Sequence, residues 1–246
     1  MEPLPDDVRL IVGLQPVREA LRAHGSNARR LYALQDNPRC DRLAEFATGF
    51  RVEVRRVSAG ELDRLTRNAR HQGVALLAPT LTLADWEQVV ARPDLLAVAL
   101  DKISDPQNFG AIVRSAVALG GAAVLWGEHA SAPLTPSTFR ASAGAVEHAT
   151  LCRVGSLVTA LDRADRMAVQ IVGLDAQADQ VLSAVDLRLP TVIALGAEDR
   201  GLSRAVRQRC TVVAKLPMTR TLDSLNVSAA AAVALYEAAQ QRAQRA

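Results

Sequence analysis

Hydrophobic positions in this chain switch repeatedly between two periods, one suited to helices and one to strands. From Gln15 to His24 the apolar residues fall at helical spacing, and Gly25 follows as a residue that closes a helix with little backbone cost. Arg30-Leu31-Tyr32-Ala33-Leu34 reads as a short strand, Cys40 to Thr48 as a helix stopped by Gly49, and Arg51 to Arg55 alternates with period two. Ser58 opens a helix through Asn68, with Glu61 placed three residues on to complete a capping box. Gly73 to Ala78 ends this first α/β module as a strand. Pro79-Thr80-Leu81-Thr82 breaks the pattern and starts a linker over 79–94, with a short helix from Leu83 to Ala91 before Pro93.

The remainder alternates more regularly. Strands are predicted over 95–100, 122–126, 149–153, 168–173, 191–196 and 211–216. Helices are predicted over 109–119, 137–142, 156–166, 203–209 and 225–242. Strands alternating with helices predict an α/β fold, a parallel sheet covered on both faces. The organisation is then 1–78, a linker 79–94, and a second domain 95–246.

Composition narrows the function classes. No segment reaches the ~18 uninterrupted apolar residues of a membrane span. The N-terminus, Met1-Glu2-Pro3-Leu4-Pro5-Asp6-Asp7, is acidic and proline-broken, unlike a secretory leader, so cytoplasmic residence is expected. Cys40, Cys152 and Cys210 are far apart and lack C-x-x-C spacing; neither a disulfide framework nor a metal site is indicated. Of the 29 basic residues, 27 are arginine and only Lys102 and Lys215 are lysine. Phosphate recognition would explain that bias, but so does a GC-rich genome, and the heavy alanine content favours the latter. Distribution says more: residues 1–78 carry 13 Arg against 10 Asp plus Glu, and the rest balances at 16 and 16, so the net charge of +3 lies in the front third. That is the charge pattern of a polyanion-binding module.

Candidate chemistry collects where predicted strands end. Ligands of open parallel sheets sit at the carboxyl ends of strands. Leu195-Gly196 ends one, Lys215-Leu216-Pro217 ends another, and Asp101 begins the loop after a third. Gly196 and Gly201 permit a backbone approach that a Cβ would block. Ser224 and Asn226 precede the last helix, where such residues cap first-turn N–H groups or present donors and acceptors to a ligand. The Gly-x-Gly-x-x-Gly fingerprint of dinucleotide folds is absent, and the four histidines are scattered without a paired nucleophile.

Three segments carry a specific resemblance: Asp101-Lys102-Ile103-Ser104-Asp105-Pro106-Gln107-Asn108-Phe109-Gly110 through Arg114-Ser115-Ala116, then Val192 to Ser203 with Gly196-Ala197-Glu198-Asp199-Arg200-Gly201, then Leu222-Asp223-Ser224-Leu225-Asn226-Val227-Ser228. In order and spacing they resemble the signature motifs of the SpoU/TrmH family of RNA ribose 2'-O-methyltransferases, in the SPOUT superfamily. Gly13-Leu14-Gln15-Pro16-Val17 and His71-Gln72-Gly73-Val74-Ala75 look like the front of its ribosomal-RNA branch.

The resemblance implies a ribosomal-protein-like RNA-binding domain, then a catalytic domain with a deep trefoil knot, against the usual rule of unknotted chains. It implies S-adenosylmethionine held by Gly196, Leu216 and Leu225 with Ala197, Met218 and Ser224 beside them, no metal, and a homodimer with active sites near its interface. It implies Arg114, Asn108, Glu198 and Asn226 as the catalytic set. An arginine keeps its proton near neutral pH, so gripping the target phosphate and stabilising a nascent alkoxide asks less of Arg114 than acting as a base. Asn108 can cap the helix carrying Arg114, touch the substrate, or both. Glu198 is expected to pair with Asn226 or Arg114. The implied reaction is methyl transfer to a ribose 2'-hydroxyl of ribosomal RNA, with a guanosine of 23S-type RNA the best single target. A tRNA methylase, a resistance methylase or a non-catalytic assembly factor of the same fold are the alternatives.

Overall fold

The structure, a computed structural model, describes residues 7–128, 134–219 and 225–244. The chain divides into two compact units. One runs to Thr82 and also takes in Ala143–His148; the other holds Leu83–Ser142 and the chain from Ala149 onward.

In the first unit, β1 (Val8–Val12), β2 (Arg30–Leu34), β3 (Glu53–Val57) and β4 (Val74–Pro79) form a sheet in the order β1-β4-β2-β3. Only β2 and β3 run parallel. Period-two alternation gives the sheet two apolar faces. Leu31, Ala33, Val74 and Leu76 pack under α1 (Leu14–His24) and α2 (Pro38–Gly49), while Tyr32 and Ala75 lie against α3 (Ala59–Thr66). Strand β1, absent from the periodicity reading, is an edge strand paired with β4 alone. β3 starts two residues later than predicted because the turn after α2 consumes Phe50 to Val52: Val52 N–H donates to the Ala47 carbonyl at 3.1 Å, and Arg51 takes φ +61°. Ser58 caps α3 as expected, accepting from Glu61 N–H at 3.3 Å, but the Glu61 carboxylate turns to Arg55 at 2.8 Å rather than back to the cap. His71 and Gln72 serve structure: His71 Nδ1 accepts from Gly73 N–H at 2.9 Å, and Gln72 Oε1 accepts from Leu14 N–H at 3.1 Å.

The 143–148 segment joins this unit through charge. The Glu147 side chain, 1% exposed, takes both Arg9 and His24, and His148 pairs with Glu19 at 3.1 Å. Gly144 holds φ +89°, and a Cβ there would lie 2.7 Å from Glu19 Cβ.

The second unit is a seven-stranded parallel sheet in the order β7-β6-β5-β10-β8-β11-β9. Its strands are β5 (Leu96–Asp101), β6 (Ala123–Gly127), β7 (Leu151–Val154), β8 (Gln170–Leu174), β9 (Gln180–Val181), β10 (Thr191–Gly196) and β11 (Val212–Lys215). Every residue of β5 and β6 is buried, as a sheet covered on both faces requires. Helices α4 (Trp86–Val90), α7 (Leu157–Arg166) and α8 (Arg204–Arg207) share one core cluster with Ala97, Ala99, Leu125 and Ile171. Helices α5 (Pro106–Ala118), α6 (Pro136–Ala141) and α9 (Val227–Ala243) pack together, α5 touching both others. Phe109 of α5 meets Trp126 of β6 edge to face at 5.2 Å. β9, two residues long, was invisible to a periodicity argument.

Two contacts fix how closely elements approach. Gly110 of α5 faces α6, where a Cβ would stand 2.5 Å from the Thr138 carbonyl and 2.6 Å from Ala141 Cβ. In an open helix Gly→Ala is favourable. Here Gly110→Ala should destabilise the protein by about 1–3 kcal/mol through overpacking, read as a lower urea midpoint; an unchanged midpoint would contradict the contact. Cys40 and Cys152 are buried, Cys210 is half-buried, and all three are free thiols. Burial pushes the Cys152 and Cys210 thiols up to about 11 from an ordinary 9.0. The folded state thus keeps protons that the unfolded chain releases first. Their contribution to stability is intact below pH 9.0 and is lost as pH rises towards 11. C152A/C210A should flatten that alkaline decline in a stability-against-pH series; an unaltered slope would sink the assignment.

A cleft at three strand ends

The carboxyl ends of β5, β10 and β11 supply the walls of one site. The chain leaves β10 at Gly196 and returns at once: Gly201 N–H donates to the Ala197 carbonyl at 2.8 Å, and Gly201 takes φ +63°. This doubles the loop back so closely that a Cβ on Gly196 would lie 2.0 Å from the Gly201 carbonyl carbon and 2.2 Å from Leu202 nitrogen. Only glycine fits there. The far end of the loop is held from β5. Buried Asp101 accepts from Ser203 N–H at 2.6 Å, and Ser203 Oγ caps α8 by accepting from Val206 N–H at 3.4 Å.

A cavity of about 450 Å³ opens against this loop, lined by Gly196 and Ala197 together with Leu216, Met218 and Leu225. These are five of the six residues that the sequence motifs assign to a cofactor. The sixth, Ser224, lies outside the described residues. The cleft also takes in Leu174 to Gln177, the stretch where β8 ends. No motif marked that stretch, although the strand-end rule would have.

Beside it lies a hollow of about 350 Å³ that shares Ala197 to Arg200 with the first and is bounded on its other side by Lys102, Ser104 and Asn108. Glu198 lines both. Its carboxylate Oε1 accepts from the Asn108 amide and from Asn226 Nδ2 at 3.1 Å, and Asn226 Nδ2 also donates to Asn108 Oδ1 at 3.1 Å. One residue from each of the three motifs thus meets in a single hydrogen-bonded cluster. Asn226 also caps α9, its Oδ1 accepting from Ser228 N–H at 2.9 Å and from Ser228 Oγ at 2.6 Å. Asn108 does not cap α5. Asp105 does, accepting from Gln107 N–H at 2.9 Å, which leaves Asn108 in the first turn, buried and aimed at Glu198.

Arg114 stands apart from this cluster. It is exposed on α5, six residues past Asn108, hence about 9 Å along the axis and a third of a turn around it. Among the described residues no carboxylate pairs with it. Glu198 therefore has the Asn226 partner that was expected and not the Arg114 one. Two residues of the rim escaped the sequence reading of roles: Asp101, the loop's anchor, and Lys102, held at φ +60° where β5 ends. A non-glycine residue in that left-handed conformation is uncommon outside turns and functional sites.

The arrangement offers a shaped cleft with apolar walls and a close-packed backbone floor, joined by a carboxylate to a polar hollow. Such a pair can bind two ligands and bring them together at Glu198. Comparison with known proteins shows the family. Residues 95–236 match the model of the SpoU rRNA methylase family, and residues 10–83 match the model of the RNA 2'-O ribose methyltransferase substrate-binding domain. An uncharacterized tRNA/rRNA methyltransferase of Mycolicibacterium vanbaalenii is 40% identical over 246 residues, covering 96% of this chain and 78% of the relative. The crystal structure of the SpoU methyltransferase AviRb from Streptomyces viridochromogenes has a TM-score of 0.80 at 28% identity, covering 97% of this chain and 91% of that one. AviRb in complex with AdoMet gives 0.78 at 29%, covering 97% and 92%. The TrmH/SpoU tRNA modifying enzyme of A. aeolicus gives 0.55 at 26%, covering 65% and 83%. A strand-end cleft assembled from three motifs, preceded by a substrate-binding unit, accords with these matches: the chain belongs to the SpoU methylase family of RNA methyltransferases.

Proposed function

We propose that this protein is a cytoplasmic enzyme that transfers a methyl group from S-adenosylmethionine to a ribose 2'-hydroxyl of ribosomal RNA, a guanosine of 23S-type RNA being the favoured target. The observation that carries the reading is the Asn108–Glu198–Asn226 cluster standing between two adjoining hollows. Ribosomal RNA is favoured over tRNA because residues 95–236 match the SpoU rRNA methylase family model and residues 10–83 add a substrate-binding domain, whereas the A. aeolicus tRNA modifying enzyme covers 65% of the chain. The front domain, residues 1–78, is then the RNA-binding part, and the catalytic domain follows the linker. The trefoil knot belongs to the same reading, supported by family membership and by the insertion of β10 between β5 and β8.

The residues of the larger cleft fit S-adenosylmethionine. Leu216, Met218 and Leu225 give apolar walls, Met218 and Leu225 being 36% and 43% exposed, and the glycine-only floor at Gly196 lets a ligand meet backbone N–H and carbonyl groups directly. When bound, the cofactor supplies an electrophilic methyl on a sulfonium. Everything else falls to the protein: in-line displacement by a hydroxyl needs alignment, a place for the proton and help for developing oxygen charge. Asn108 and Glu198 line the second hollow and orient the ribose there. Glu198 is the carboxylate placed to receive its proton, and the two asparagines hold it in one rotamer. Arg114 grips the target phosphate and stabilises the alkoxide.

Because Arg114 stands away from its own cluster, this reading has it act across a homodimer interface. The exposed apolar residues of α9 suit such an interface, with Tyr236 54% and Val233 44% exposed. Burial of an apolar helix face is what a second copy provides.

Arg114→Ala should lower single-turnover methyl transfer by about 10²-fold or more, as loss of one transition-state donor does, with cofactor affinity within about twofold by calorimetry. Full turnover in that variant would exclude the role. Gly196→Ala should abolish cofactor binding measured the same way while leaving RNA affinity intact; retained cofactor affinity would mean the ligand lies elsewhere. Labelled methyl offered with unmodified 23S-type RNA and with total tRNA should appear at one ribose of the former, mapped by its resistance to alkaline cleavage. Label confined to tRNA would overturn the substrate.

A further inference from the structure

The arginine excess of the front unit has a focus. Six of the thirteen arginines of residues 1–78 are paired with carboxylates: Arg9 with Glu147, Arg22 with Glu19, Arg29 with Asp7, Arg30 with Glu53, Arg55 with Glu61 and Arg56 with Asp41. Arg18, Arg39 and Arg42 are exposed and, among the described residues, have no carboxylate partner. All three line one groove of about 330 Å³ between α1 and α2.

Helix geometry puts them there. Positions 39, 42, 43 and 46 follow the i, i+3, i+4, i+7 spacing of a single helix face. Arg39 and Arg42 therefore stand at the rim while Leu43, 7% exposed, forms the floor. Position 18 lies one turn beyond Leu14 on α1, and its guanidinium lies over the Phe46 ring, 5.9 Å from the centroid. Phe50 meets Phe46 edge to face at 5.1 Å and 84°, which fixes the ring. Of the acids on the two helices, Asp41 pairs with Arg56 and Glu19 with Arg22 and His148, while Glu45 does not line the groove.

Guanidinium forks match phosphate oxygens, and an unstacked base rests equally well on an aromatic ring or on a guanidinium plane. Like-charged side chains converging on a concavity with an aromatic wall are an unfavourable surface unless an anion lies among them. Resting on the methyltransferase reading above, we propose that this groove holds one unpaired nucleotide of the substrate RNA, its phosphate between Arg39 and Arg42 and its base against the Arg18–Phe46 stack. The front unit then recognises a bulged or looped nucleotide as well as a charged backbone.

The test uses the full-length chain and an unmodified 23S-type RNA transcript, with affinity measured across a salt series. R39A/R42A should bind at least about tenfold more weakly, and the slope of log affinity against log salt should fall by about 0.7 or more, the share of one single-strand phosphate contact. F46L, which keeps an apolar side chain in the core, should lose about 5- to 100-fold in affinity through lost stacking with no change in slope. R51A/R70A removes two arginines outside the groove and should bind within twofold of the unaltered protein. Cofactor affinity within twofold in every variant serves as the check on folding. Undiminished binding by R39A/R42A, or an equal loss in R51A/R70A, overturns the proposal while the unaltered protein's methylation of the RNA leaves the parent reading standing. An unaltered protein that neither binds nor methylates the transcript overturns both.

Discussion

The hydrogen bonds joining Asn108, Glu198 and Asn226 are the constraint on which the site depends. They tie three segments separated by 90, 28 and 118 positions in the chain. A carboxylate turned towards protein must find donors or remain costly. Glu198 finds two amide groups, one in the first turn of α5 and one at the cap of α9. Asn226 serves both ends at once, its oxygen closing the helix and its nitrogen reaching Glu198. Loss of any member frees the β10 loop, the start of α5 and the start of α9 together, so the cluster works as a unit.

Backbone constraints make that cluster possible. Gly196 lets the loop fold onto itself, Asp101 pins the far end through Ser203, and the order β5-β10-β8-β11 sets the strand ends side by side. Buried β5 and the buried centres of β10 and β8 leave little freedom for those ends to shift. Two hollows that share the 197–200 backbone keep a fixed separation, which is what alignment of two reactants demands.

Much of this was legible in sequence, for reasons that vary by residue. The strands β5, β6 and β10 read clearly because both their faces are buried, giving continuous apolar runs. The amphipathic α1 and α7 read clearly because one face is not. Two edge strands were missed, β1 with one partner and β9 too short to show a period, while the edge strand β7 was found. The shift in β3 came from left-handed backbone at Arg51, which no pattern of polarity announces. Of the site, Gly196, Glu198 and Asn226 were recognisable because their motifs are contiguous. The Asp105 cap was missed because Asn108, three positions on, is also a capping residue by type. The excursion of 143–148 into the first unit could not be read at all, since it depends on Glu147 meeting Arg9 and His24 from more than a hundred positions away. Arg114 was named by its motif, yet its setting on an exposed turn of α5 is a fact of three dimensions.

The chain thus places the close-packed β10 loop in one unit and uncompensated arginines in the other, with Glu198 lining both hollows. The central claim concerns that position, and a crystal structure with S-adenosylmethionine tests it most directly. The account predicts the cofactor in the cleft at Gly196, Leu216 and Leu225, its sulfonium methyl directed past Glu198 into the hollow beside Asn108. A cofactor bound with its methyl turned away from that hollow, or seated elsewhere on the chain, would contradict it.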